Sequence, residues 1–166
     1  MAISRQPIIF QKFNRWLWPS RHLVNECSFK PGQQVLLYGD VSVKLVKHVR
    51  KAVGANGKVL VIGRNKHLTR YRKLMHAKYQ QQVVINPFFE NLSDNFLHAL
   101  LICHAKVDTE VVLPLAKLAS NKLKSKGRLL VVANKTAAKK FIALGKQQDD
   151  FSLTSSSGLL EFQKVK

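Results

Sequence analysis

Short apolar runs that stop at glycine or proline, and that alternate with stretches of helical periodicity, constrain this chain more than any other feature. Val35-Leu36-Leu37-Tyr38 follows the Pro31-Gly32 turn and ends at Gly39, and Lys58-Val59-Leu60-Val61-Ile62 follows Gly54 and Gly57 and ends at Gly63. Between them Val43, Val46, Val49 and Val53 recur at helical spacing. A strand, a helix and a second strand within about thirty residues make a βαβ unit. Strands that are apolar throughout need cover on both faces.

The alternation continues. The pattern predicts a helix over Leu68 to Tyr79, a strand over Gln82 to Ile85 stopped by Pro87, and a strand over Leu97 to Cys103. It then predicts a helix over Glu110 to Leu123, a strand over Arg128 to Ala133 and a helix over Thr136 to Leu144. Phe151 to Thr154 and Leu159 to Val165 flank Ser155-Ser156-Ser157-Gly158, which reads as a terminal antiparallel hairpin. The expected fold class is therefore α/β: a Rossmann-like, mostly parallel seven-stranded sheet with helices on both faces and a C-terminal antiparallel hairpin. Residues 1–25 read as an N-terminal amphipathic helical segment and residues 26–166 as a single domain. In the first segment Ile9, Phe13, Trp16 and Leu17 share a helical face with Lys12, Arg15 and Arg21 interleaved, and Pro19 ends or kinks it. Such a face can pack across the sheet, lie at a membrane interface or stack on bases.

Charge narrows the partners. The chain has 28 Lys and Arg against 9 Asp and Glu, a net +19. A surface of that sign attracts nucleic acid, RNA foremost, or an anionic membrane surface, although some of the lysine is simply solvated. From Val41 to Phe89 there is no acid. Lys44, Lys47, Arg64, Lys66, Arg70, Arg72 and Lys73 fall in this stretch and are expected to converge on the carboxyl edge of the sheet as the nucleic-acid contacts. Tyr71 and Tyr79 lie among them and could stack on bases or sit in the core. A second acid-free stretch runs from Val111 to Gln148.

Other chemistries find less support. Cys27 and Cys103 are far apart and lack zinc or redox spacing, so reduced structural thiols are expected, and the six histidines show no metal-ligand pattern. No apolar run approaches the roughly 18–20 residues of a membrane span. A cytoplasmic location is expected, with organellar import left open by an acid-free, arginine-bearing start.

With these runs in place, the sequence resembles the class I S-adenosylmethionine-dependent methyltransferases. Phe29-Lys-Pro-Gly-Gln-Gln-Val-Leu-Leu-Tyr-Gly39 is similar to that family's approach to its first strand and cofactor loop. Val53-Gly-Ala-Asn-Gly-Lys-Val59 resembles its entry to the second strand, and Leu123-Lys-Ser-Lys-Gly-Arg-Leu129 its "LKPGGRL" entry to the fifth. The resemblance implies a cofactor held by an acid near the end of strand one, glycines after it, an acid ending strand two and an acid after strand three. These positions fall here on Leu37, on Gly39 with Val41 and Val43, on Gly63 followed by Arg64, and on Asn86 or Pro87. The three acids are absent. Any S-adenosylmethionine site would have to be built from Gly39, Asp40, Gly63, Arg64, Asn86 and His104, and Arg64 and Lys66 would face a cationic cofactor. The resemblance thus implies a methyltransferase-like domain that binds RNA or other nucleic acid with lost or atypical cofactor binding. The alternatives are an active nucleic-acid methyltransferase with a pocket around Gly39, Asp40 and His104, and a peripheral membrane protein anchored by Phe13, Trp16 and Trp18.

Three motifs compete for attention. Asn86-Pro87-Phe88-Phe89 resembles the Asn-Pro-Pro-Phe/Tyr motif of amino-methylating enzymes, but follows the third strand rather than the fourth. Val61-Ile62-Gly63-Arg64-Asn65 resembles a dinucleotide-binding second strand, yet only Gly39 supplies the glycine-rich loop that fold needs. His104 and Asp108 follow the fourth strand and could supply a general base, while Ser42 lacks a nucleophile elbow.

Overall fold

The computed structural model describes residues 20–63, 71, 83–85, 91–103, 118–132, 139–143, 149–155 and 159–165. Helix α1, Ser20–Cys27, turns Leu23, Val24 and Cys27 inward and leads into β1, Gln34–Gly39. Helix α2, Val43–Val53, starts where the Ser42 hydroxyl accepts the Leu45 N–H at 3.1 Å, and ends where the Gly54 N–H reaches the Arg50 carbonyl. Strands β2, Lys58–Gly63; β3, Val83–Ile85; β4, Leu97–Cys103; β5, Leu123–Val132; β6, Phe151–Ser155; and β7, Leu160–Lys164 complete one seven-stranded sheet. Its order is β3-β2-β1-β4-β5-β7-β6. The first five strands are parallel, and β7 runs antiparallel to both β5 and β6.

The strands read as unbroken apolar runs because each contributes to two cores. One face stacks Val35, Leu37, Val59, Val61, Ala99, Leu101 and Leu130 under α1 and under Leu45, Val46, Val49 and Val53 of α2. The other gathers Leu36, Leu60, Leu100, Ile102, Leu129 and Val131 with Phe141, Phe151, Leu160 and Phe162. Side chains alternate faces along a strand, so a one-residue slip would exchange the two sets.

The expected fold class is what the structure shows, with local differences. The strand expected from Arg128 begins five residues earlier, at Leu123, and the helix expected to include Leu123 ends in helical residues 118–122. Leu123 pairs with Leu97 and is fully buried, so strand pairing takes it from the helix. The next paired residues are Ala99 and Arg128, which leaves residues 124–127 as an outward excursion with Lys126 at φ 63°. Helix α1 continues to Cys27, two residues past the expected helical segment, because Cys27 also faces the core. Residues 1–19, and the helix expected over Leu68 to Tyr79 apart from Tyr71, lie outside the described residues.

Candidate functional site

Parallel α/β sheets bind ligands where their strands end, because loops and helix N-termini gather there. In this chain the carboxyl ends of β2, β1 and β4 place Gly63, Gly39 and Cys103 side by side in register. The chain leaves β1 through Gly39 at φ 101°, and a Cβ at that position would lie 2.4 Å from the Cys103 carbonyl oxygen. Only glycine meets both conditions. The Asp40 N–H then donates to the Cys103 carbonyl at 3.3 Å and the Val41 N–H to the Gly39 carbonyl at 2.9 Å, so the loop crosses the end of β4 tightly. Three residues, Asp40 to Ser42, suffice to reach α2.

Tyr71 closes this edge from within. It is fully buried, its hydroxyl donates to the Val41 carbonyl, and its ring lies against Gly63. A Cβ on Gly63 would meet the ring at 2.8 Å and the hydroxyl oxygen at 3.1 Å. Burial, and secondarily the Asp40 charge, push the Tyr71 phenol up to about 12, so it remains a protonated donor. Val41 is itself fully buried and Val43 packs against the same core. Leu37 points into the core, not toward a ligand. The described residues thus place no carboxylate at Leu37 or Gly63, leave Asp40 as the carboxylate just beyond β1, and put Val41 and Val43 where a cofactor loop needs glycine. The Cys103 thiol is raised well above its ordinary range, chiefly by burial, and is no nucleophile.

Gly39, Asp40 and Gly63 therefore do converge, with Asp40 half-buried. Lys44 and Lys47 stand exposed on the first turns of α2, and Lys51 follows on the same face about 10 Å from Lys44 at 1.5 Å per residue. The helix carries no acid, and among the described residues none is paired with these three lysines. Arg64, Lys66, Arg70, Arg72, Lys73, Asn86 and His104, with Asp108, lie outside the described residues. Ser42 serves as the cap of α2 and lies 3.4 Å from the Ser20 hydroxyl. Tyr71 is the residue whose role sequence reasoning left open. Surrounded by cations, it carries no local signal that it seals the edge. Among the described residues there is no cluster of His, Cys, Asp or Glu suited to a metal, and no helix is long and apolar enough to cross a membrane.

No family model matches the sequence, and no curated protein matches it. Solved structures do. An S-adenosylmethionine-dependent methyltransferase from Aquifex aeolicus superposes with a TM-score of 0.71 at 14% identity, covering 95% of this chain and 96% of that one. An S-adenosylmethionine-dependent O-methyltransferase from Thermotoga maritima gives 0.67 at 15% identity, covering 89% of this chain and 64% of that one. A chain from Clostridium thermocellum, provisionally named an rRNA-methylase, gives 0.62 at 17% identity and covers 100% and 99%. The likeness shows the fold: this chain has the class I methyltransferase architecture.

Proposed function

We propose that this chain is a methyltransferase-like domain that binds RNA or another nucleic acid through its cationic face, with S-adenosylmethionine binding lost. The observation that carries the reading is the edge at β1 and β2, where Tyr71 takes the space beside Gly63 and exposed Lys44, Lys47 and Lys51 stand on the adjoining helix. A cationic sulfonium ligand gains nothing from such a field, whereas a phosphate backbone does. The likeness to a provisionally named rRNA-methylase supports the same partner class. The domain then acts by binding or assembly rather than by methyl transfer.

Calorimetry with S-adenosylmethionine beside a salt series of RNA binding tests this. The expected result is no saturable heat with the cofactor and an RNA affinity that falls steeply with salt. Saturable cofactor binding would overturn the loss and favour an active nucleic-acid methyltransferase with a pocket at Gly39, Asp40 and His104. Salt-independent RNA binding would overturn the electrostatic contact.

A further inference from the structure

A second group of cations lies at the opposite edge of the sheet, where the strands begin. Lys58 opens β2 and stands exposed, with Gln34 of β1 as its register partner. The Gln34 N–H donates to His98 Nδ1 on β4 at 3.1 Å, and His98 Nε2 lies 3.2 Å from the Lys124 ammonium at the start of β5. Lys58, Gln34, His98 and Lys124 thus form one polar row over four adjacent strands, about 14 Å long at the usual spacing of about 4.8 Å. Exposed Lys30 lies in the turn that enters β1, its N–H donating to Gln33 Oε1 at 3.0 Å.

Most acids near this edge are engaged elsewhere, Asp150 accepting the Ser120 hydroxyl at 2.7 Å, while Asp149 beside it stands exposed. Asp94 pairs with Lys122 at 2.8 Å, Glu161 with Arg128 at 3.5 Å, and Glu26 faces His22 at 3.8 Å. Among the described residues none pairs with Lys30, Lys58 or Lys126. Lys126 adds a separate observation. It stands exposed at φ 63°, in the left-handed region that favours glycine. Its neighbour Gly127 admits no Cβ, which would lie 2.7 Å from the Lys124 carbonyl oxygen, so the turn is held in place. A strained lysine on a rigid turn points to a use for its ammonium group.

We propose that this amino-edge row, with Lys126 beside it, is a second phosphate-binding surface for a polynucleotide strand, on the far side of the sheet from α2. The inference rests on the nucleic-acid reading above and adds where the strand runs. The row is long enough for several phosphates at about 3.4 Å of axial rise per strand position. Among the described residues the row itself carries no apolar side chain, and Val165 is the one exposed large hydrophobic near it, which favours a polynucleotide over a membrane.

The test measures binding of the full chain to a fluorescein-labelled, mixed-sequence single-stranded RNA across a salt series. Wild type is compared with Lys58→Ala/Lys124→Gln/Lys126→Gly, with Lys44→Ala/Lys47→Ala/Lys51→Ala, and with Lys126→Gly alone. Each triple variant should lower the slope of log affinity against log salt by about 2, from about 0.7 per cation. Lys126→Gly should lower it by about 0.7 while raising the melting temperature, since glycine relieves the turn. That single change keeps the proposal falsifiable if the triple variant folds poorly. An unchanged slope in the amino-edge variants, beside a reduced slope in the α2 variant, would overturn this surface and leave the function standing. Absence of RNA binding by wild type would overturn both. Loss of pelleting with phosphatidylserine vesicles, with RNA binding intact, would assign the row to membranes and overturn the proposal.

Discussion

The Tyr71 hydroxyl donates to the Val41 carbonyl, thirty residues back along the chain, while the Tyr71 ring occupies the space that a side chain on Gly63 would need. One residue therefore fastens the loop after β1 and enforces glycine at the end of β2. Tyr71→Phe removes a buried donor and should cost about 1–3 kcal/mol in urea unfolding. Gly63→Ala, which drives a methyl group into the ring, should cost about 1–3 kcal/mol in wild type but less in Tyr71→Leu. A double-mutant cycle should return a coupling of about 0.5–3 kcal/mol. Additive costs would show that the ring and the glycine do not share this space.

How much of this was legible in the sequence differs by element. Strand β4 falls where the sequence reading places it, because Leu97 to Cys103 is apolar but for His98. The start of β5 is not. Leu123-Lys-Ser-Lys-Gly-Arg128 has no strand signal of its own, and its path is set by pairing of Leu123 with Leu97 and by contacts from the far C-terminal strand. At the site, the missing acids are visible at Leu37 and Gly63 from alignment of the strand ends. The closure by Tyr71 is not, because burial among cationic neighbours follows from tertiary contact with a glycine and leaves no periodic trace.

Those C-terminal contacts come from Lys164. Its ammonium donates to the Leu123 carbonyl at 2.7 Å, the Ser120 carbonyl at 2.5 Å and the Asn95 side-chain oxygen at 3.2 Å. It thereby satisfies carbonyls where the helical residues 118–122 give way to β5. Lys164 is buried at 8% exposure, so its loss leaves these acceptors dry. Lys164→Met should cost about 2–3 kcal/mol in chemical denaturation, with Lys164→Arg less damaging. A change under about 0.5 kcal/mol would mean that water replaces the ammonium without penalty.

Both thiols should be silent in the folded protein. Burial pushes Cys27 up to about 12, partly opposed by Arg128, and raises Cys103 further. The thiolate is the reactive form. A chromogenic disulfide reagent at about pH 8 should therefore label neither cysteine until denaturant is added, at a rate that follows unfolding. Prompt labelling of one thiol would locate an opening on the α1 face of the sheet.

Acid should weaken the fold through His98. Burial, and then the neighbouring Lys124 charge, lower its pKa from 6.5, and its Nδ1 accepts the Gln34 N–H only while that nitrogen is unprotonated. Because the folded value lies below the unfolded one, the unfolded chain takes up the proton first as pH falls. Stability from this group is complete above about 6.5 and is lost as pH drops through that value toward the lowered folded pKa. Melting temperature should therefore fall between about pH 7.5 and about pH 5 more steeply in wild type than in His98→Gln, whose amide oxygen can accept the same N–H without titrating. Parallel curves for the two proteins would show that His98 carries none of the acid sensitivity.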